Sequence, residues 1–240
     1  MERKEFLKRL GLSTLISPAM MMRCREEDVA PLTNASDDDD VVVDDGTCVV
    51  SPEETAGPFP TKNPSSLVLQ DIRSDRTGIS LSVKLTIQDY SKGCEALSGV
   101  LVDIWHCDKD GYYSEYGGSG MQSANFTTYH FMRGRQTTNS EGQVGFTSVF
   151  PGWYSGRAPH IHVHVYDATG KSLLVTQIAF PTSVCDLVYT TATQYYNKGK
   201  QDTSNVGDNI FADSLDREMG TVTGSIDAGY ELTHRIVVKS

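Results

Sequence analysis

From His160 to Val165 the chain reads His-Ile-His-Val-His-Val, an imidazole at every second position with a β-branched residue after each. Extended backbone sorts such a period of two onto two faces, because successive strand side chains point to opposite sides. Ile161, Val163 and Val165 then face a hydrophobic core, and His160, His162 and His164 face a polar environment. The same alternation recurs in "LSVKLTIQDY", where Val83, Leu85 and Ile87 oppose Lys84, Thr86 and Gln88. In "GVLVDIWH" it sets Val100, Val102 and Ile104 against Leu101, Asp103 and Trp105. "GQVGFTSVF", "LLVTQIAF" and "ELTHRIVVK" are strand-like too, and turns fall at Asp110-Gly111, Glu141-Gly142 and Thr169-Gly170. Short strands joined by turns predict an all-β chain, a β-sandwich of mixed or antiparallel sheets rather than βαβ units. Helix is expected only as short pieces within 183–197 and 208–218.

At 240 residues the chain is long enough for one domain with appendages. Its net charge is −10, but Asp37, Asp38, Asp39, Asp40, Asp44 and Asp45 account for six of those charges, so the remainder is only mildly acidic. No basic stripe interleaved with aromatics is present, which argues against nucleic acid as a partner. Residues 1–25 have a basic start and a weakly apolar run, Leu10 to Met22, too short to span a bilayer. They read as an export signal, twin-arginine-like or lipoprotein-like, with Cys24 as a candidate for a lipid anchor; an amphipathic first helix is the competing reading. Export predicts a periplasmic, extracellular or membrane-anchored protein, and the helix reading a cytoplasmic one. Residues 26–47 read as an acidic, disordered linker, a solvated spacer rather than a calcium site. Residues 48–240 are then the β-sandwich domain. With Cys24 set aside, Cys48, Cys94, Cys107 and Cys185 permit two disulfides in three pairings, and their spacing is unlike a zinc knuckle.

Two imidazoles one residue apart on a strand can hold one ion, since same-face side chains stand about 6.6 Å apart and metal–nitrogen bonds are about 2.0 Å. His-x-His alone fits zinc, copper and iron. Two tyrosines narrow the choice: Tyr154, in "PGWYSGRAPH" just before the strand, and Tyr113, forty-one residues earlier in "WHCDKDGYYSEY". A phenol, with pKa about 10, is a poor ligand unless the metal is a strong Lewis acid. Fe(III) takes tyrosinates readily.

These residues in combination resemble the intradiol ring-cleavage dioxygenases, the family of catechol and protocatechuate 3,4-dioxygenases, over roughly residues 48–182. The family's W…G-x-Y segment is similar to Trp105 through Tyr113, which assigns the first tyrosine ligand to Tyr113 rather than Tyr112. Its PGxY is similar to Pro151-Gly152-Trp153-Tyr154, and its RPAHIH to Arg157-Ala158-Pro159-His160-Ile161-His162, with Ala and Pro exchanged. Thr176-Gln177 stands fifteen residues past His162, as in the family, and Thr55-Ala56-Gly57-Pro58-Phe59 is similar to its T-x-GP-aromatic stretch. The resemblance implies a transthyretin-like sandwich with Fe(III) held by Tyr113, Tyr154, His160 and His162. It also implies a catechol-type substrate opened with O2 between its hydroxyls to a muconate-type diacid. Tyr154 would take a substrate proton, Arg157 would stabilise negative charge on the ring, and Gln177 would donate a hydrogen bond nearby. Only two residues separate Tyr154 from Arg157, a shorter loop than in the protocatechuate enzymes and one resembling the secreted single-domain relatives. Residues 1–47, read as leader and linker, leave no room for the helical dimerisation domain of classical catechol dioxygenases, so the oligomeric state stays open.

Two other functions stand beside this one. A zinc or copper protein built on His-x-His would need a carboxylate or a third histidine, and a transthyretin-like binding module would need no metal chemistry. A facial triad through Asp167 is set aside because the tyrosines are better placed. His164 reads as a supporting or surface histidine, His106 as a structural hydrogen-bonder near a strand end, and His130 and His234 belong to no motif. Asp108 and Asp110 read as turn residues before Gly111. Arg133 and Arg135 read as solvated, or one of them as reaching a substrate anion. Phe59, Tyr112, Trp153 and Gln177 are the expected pocket walls, with Tyr116 at the mouth or on a sheet edge.

Overall fold

The computed structural model describes residues 46–118 and 120–240. The leader expected over 1–25 with Cys24, and the acidic linker up to residue 45, lie outside the described residues. In chain order the strands are β1 (Ser80–Asp89), β2 (Glu95–Ala96), β3 (Leu101–Trp105), β4 (Arg133–Thr137), β5 (Gln143–Val149), β6 (His160–Tyr166), β7 (Ser172–Ala179), β8 (Thr221–Ser225) and β9 (Gly229–Val238). Helices α1 (Thr182–Thr191) and α2 (Leu215–Glu218) separate β7 from β8. α1 starts one residue before the expected stretch 183–197 and ends inside it, and α2 falls within 208–218, although the turns from 208 to 214 do not join α2.

The strands form two sheets. In the first, β1 pairs in parallel with β9, and on its other side runs antiparallel to β5 and then to β2 at its end; β8 closes the far edge against β9. The second is wholly antiparallel, in the order β4-β3-β6-β7. Leu81, Val83, Leu85 and Ile87 of β1 meet Ile161, Val163 and Val165 of β6, together with Val102 and Ile104 of β3, in one buried cluster between the sheets. The period of two is thereby realised as an all-β sandwich. Fully burying each such side chain contributes roughly 1.5–3 kcal/mol.

The opposite face of the second sheet is polar and aromatic, and it carries the candidate site. Register sets four of its side chains abreast, one from each strand: Arg133 of β4 opposite Trp105 of β3, Trp105 opposite His162 of β6, and His162 opposite Gln177 of β7. A parallel row runs Arg135, Asp103, His164, Val175. The face is roofed by the chain leading to β1 and by the β3–β4 and β5–β6 connections; Glu54 N–H, for example, donates to the β7 carbonyl of Val175.

Cys48 and Cys94 form a disulfide that ties the chain leading to β1 to the turn after it. Among the described residues a second bridge, which the cysteine count permitted, does not form. Cys107 stays a thiol directed at the carbonyl of Gly152, 3.4 Å away, and Cys185 lies in the inter-sheet core on α1.

Candidate functional site

Two glycines bring the tyrosine-bearing loops together. Gly152 N–H donates to the carbonyl of Asp108 at 3.0 Å, and a Cβ on Gly152 would lie 2.3 Å from the carbonyl oxygen of Lys109. A Cβ on Gly111 would likewise lie 2.4 Å from the carbonyl oxygen of Trp153. The turn before Tyr113 and the turn before Tyr154 therefore touch backbone to backbone, which no side-chain-bearing residue at these positions permits. Asp108 shapes the first turn by accepting from the N–H groups of Asp110 and Tyr112, the turn role expected of it.

Four side chains converge at the sheet surface. Nε2 of His160 lies 3.3 Å from the Tyr113 hydroxyl, 3.4 Å from the Tyr154 hydroxyl and 3.1 Å from Nε2 of His162. His160 Nδ1 lies 2.6 Å from the carbonyl oxygen of Ala158, an obligate acceptor, so Nδ1 carries the proton and Nε2 presents a lone pair to the cluster. Burial pushes His160 down to about 3, with the Arg157 charge adding to the effect, and drives His162 well below its ordinary value, so both rings are neutral. Burial raises both phenols: Tyr154 to about 12 and Tyr113 well above its ordinary value, while the Arg157 cation works against burial in each.

This donor set fits a highly charged cation. Atoms bound to one ion at about 2.0–2.1 Å stand roughly 2.9–3.4 Å from their neighbours, and the three contacts of His160 Nε2 fall in that range. Two lone-pair nitrogens and two phenols that burial holds protonated gain from a strong Lewis acid, which favours the phenolate forms. No carboxylate joins them: among the described residues, no three His, Cys, Asp or Glu side chains gather as a metal cluster. The third histidine of the strand is also elsewhere, with His164 stacked on Tyr166 and bonded to Ser172 at 2.8 Å. Asp167 is occupied in its own turn, accepting from Thr169 and Lys171. The zinc or copper reading therefore lacks its required extra donor among the described residues.

Aromatic rings wall the cluster. Trp105 stacks on His162 with centroids 4.9 Å apart and planes 4° from parallel, as their register predicts for cross-strand neighbours. Phe59 stacks on Tyr113 at 4.8 Å. Gly57, at φ +66°, lets the chain pass over His162, where a Cβ would stand 3.0 Å from Cε1. Of the other expected walls, Tyr112 packs on Phe126 and bonds Ser123, and Trp153 donates its indole N–H to the carbonyl of Gly199 at 2.9 Å. Tyr116 donates to the carbonyl of Pro60 and meets Phe59 edge-on, beside the pocket.

Arg133 is neither solvated nor directed at a substrate anion. It is fully buried, donating from Nε to the Ser114 hydroxyl, from Nη2 to the Ser114 carbonyl at 2.7 Å and from Nη1 to the Phe59 carbonyl at 2.9 Å. It thus fixes both the loop after Tyr113 and the ring stacked on it. Gln122 clamps the same loop, accepting from Tyr113 N–H at 2.9 Å and donating to the Tyr113 carbonyl at 3.1 Å. Arg135 pairs with Asp103, and His130, which belonged to no motif, pairs with Glu115 at 2.8 Å. His106 takes the structural role expected of it, between the Cys107 carbonyl and the Ser148 hydroxyl.

Arg157 and Gln177 meet beside the cluster, with Arg157 Nη2 donating to Gln177 Oε1 at 2.7 Å. The Gln177 amide nitrogen donates to the carbonyl of Thr55 at 2.9 Å, so its amide is engaged at both ends. Asp208, which no sequence motif marked, accepts from Arg157 Nε at 2.8 and 3.0 Å.

A family model described as Dioxygenase matches residues 57–215. A chlorocatechol 1,2-dioxygenase from Rhodococcus opacus is 26% identical over 142 residues, 51% of either chain, so the match spans about half the length of that curated relative. Among solved structures, an intradiol ring-cleavage dioxygenase from Tetranychus urticae is 27% identical, with a TM-score of 0.70 over 80% of this chain and 95% of that one. The dioxygenase domain of a dioxygenase–carbohydrate-binding protein fusion from Streptomyces sp. SirexAA-E is 26% identical, with a TM-score of 0.58 over 80% and 99% of the respective chains.

Proposed function

The chain belongs to the intradiol ring-cleavage dioxygenase family, and from that premise we propose that it opens a catechol-type ring with O2 between the two hydroxyl-bearing carbons. The product is a muconate-type diacid, and the cofactor is Fe(III) held by Tyr113, Tyr154, His160 and His162. The observation that carries this reading is the convergence of two phenols and a second neutral imidazole on His160 Nε2, at 3.1–3.4 Å from it. Ferric iron bound there supplies Lewis acidity for a catechol dianion and the redox partner that lets the ring react with O2.

The protein side of the chemistry follows from the geometry. Tyr154, partly exposed beside the cluster, takes a substrate hydroxyl proton at its phenolate oxygen. His160, with Nδ1 committed to the Ala158 carbonyl, offers Nε2 in one orientation only. Arg157 stabilises negative charge that develops on the ring, a preorganised interaction of the kind worth about 3–4 kcal/mol in other enzymes. Trp105 and Phe59, packed on His162 and Tyr113, keep water from two of the four donors. The Cys48–Cys94 bridge supports export to an oxidising compartment, which we propose as the location.

Aerobic protein reconstituted with iron tests the reading. A burgundy colour from tyrosinate-to-iron charge transfer, and a muconate-type product from at least one ring in a panel of catechol, chlorocatechol, hydroxyquinol and protocatechuate, are the expected results. Arg157→Ala is expected to keep the colour while turnover falls about 10²–10³-fold; Tyr154→Phe is expected to shift the colour and lower iron occupancy. A colourless iron-loaded protein, or a ring cut outside the diol, overturns the proposal.

A further inference from the structure

We propose that Asp208 is a positioning residue that aims Arg157 at the reacting ring; the inference rests on the function proposed above and deepens it. Asp208 is fully buried, fifty-one residues beyond Arg157, and its carboxylate is saturated from several directions. Both oxygens accept from Arg157 Nε, at 3.0 and 2.8 Å, while Oδ2 also accepts from Ala158 N–H at 2.8 Å and Oδ1 from Ile210 N–H at 2.9 Å. The guanidinium is thereby gripped on its Nε edge by Asp208 and at Nη2 by Gln177, itself anchored to the Thr55 carbonyl. Phe211 lies 5.7 Å from the guanidinium carbon and 6.3 Å from the His160 ring, filling the space on that side. Nη1 alone is left without a hydrogen bond among the described residues, in a planar group whose orientation is otherwise determined.

The same carboxylate reaches the metal cluster by a second route. Ala158, whose N–H it holds, supplies through its own carbonyl the acceptor for His160 Nδ1. One buried charge therefore orients both the cationic donor and the backbone that fixes the His160 tautomer. An arginine without such a clamp samples many rotamers, and a donor displaced by about 1 Å costs on the order of a hundredfold in rate.

The test compares Asp208→Asn, which keeps the shape and removes the charge, with Asp208→Glu, which keeps the charge and displaces it outward. Should the first fail to fold, the second still decides. In iron-loaded protein, kcat is expected to fall roughly ten- to a hundredfold with KM little changed, and the charge-transfer colour is expected to persist. In an Arg157→Gln background the Asp208 substitutions are expected to cause no further fall, because a residue acting through Arg157 has nothing left to act on. A readout independent of turnover is the rate at which phenylglyoxal modifies Arg157, followed by peptide mass mapping, with several-fold faster modification expected once the clamp is loosened. Unchanged Arg157 reactivity in a folded variant, or an equal loss of kcat with and without Arg157, overturns the inference. If the wild-type protein cleaves no catechol, the proposed function fails, and the phenylglyoxal comparison still decides the role of Asp208.

Discussion

His106 is a buried imidazole that the proposed chemistry does not use. Its Nδ1 lies 2.7 Å from the Cys107 carbonyl, so that nitrogen carries the proton, and its Nε2 accepts from the Ser148 hydroxyl at 2.8 Å. Burial lowers it to about 4, against an unfolded value near 6.5. Between those values the unfolded chain binds a proton that the folded chain refuses, so stability falls as pH drops below about 6.5 and levels off near 4. The contribution is about 1.4 kcal/mol per pH unit. Urea unfolding from pH 4 to 7 is expected to show a shallower pH dependence for His106→Gln than for wild type; parallel curves would remove this role. At this scale much of the site is legible in the sequence, because Tyr113, Tyr154, His160 and His162 sit in short motifs whose chemistry is local. Asp208 is not legible: "VGDNIF" carries no periodicity, and only the fold brings it to Arg157. Arg133 misleads for a related reason, since a charge in a polar stretch looks solvated until its partners arrive from residues 59–61 and 114.

Strands β1, β3, β5, β6, β7 and β9 announce themselves because each has one face in the core. Strand β4 does not. Arg133 and Arg135 occupy its outer face, while Gly134 sits inward with Ile72 and Phe146 where a side chain would stand, so no apolar alternation survives. Strand β6 has the opposite character, the proposed metal donors His160 and His162 on one side and aliphatic packing on the other. Ile161, fully buried between the two imidazole positions, serves only the packing. Ile161→Ala is expected to cost about 2–5 kcal/mol in urea unfolding, the range for an aliphatic side chain removed from a close-packed core. A loss below about 1 kcal/mol would mean that the inter-sheet core is looser than the burial indicates.

Across the whole molecule, the cysteine count narrowed the bridges to three pairings without choosing among them, because pairing depends on which loops the sheets bring together. The realised bridge joins residues 46 positions apart. Closing a loop of that size in the unfolded chain gives about 4 kcal/mol by chain entropy, an upper value if the reduced ensemble keeps structure. Replacing Cys48 and Cys94 together by serine is expected to lower the melting temperature and abolish its sensitivity to dithiothreitol; equal melting of the reduced and oxidised wild type would contradict this. The row of Arg133, Trp105, His162 and Gln177 has a larger consequence. Its members come from four neighbouring strands, so sliding β6 by one position would turn Ile161 or Val163 outward and drive both imidazoles into oil. The proposed iron centre therefore depends on correct strand alignment, because the donors on β6 face the site in one register only.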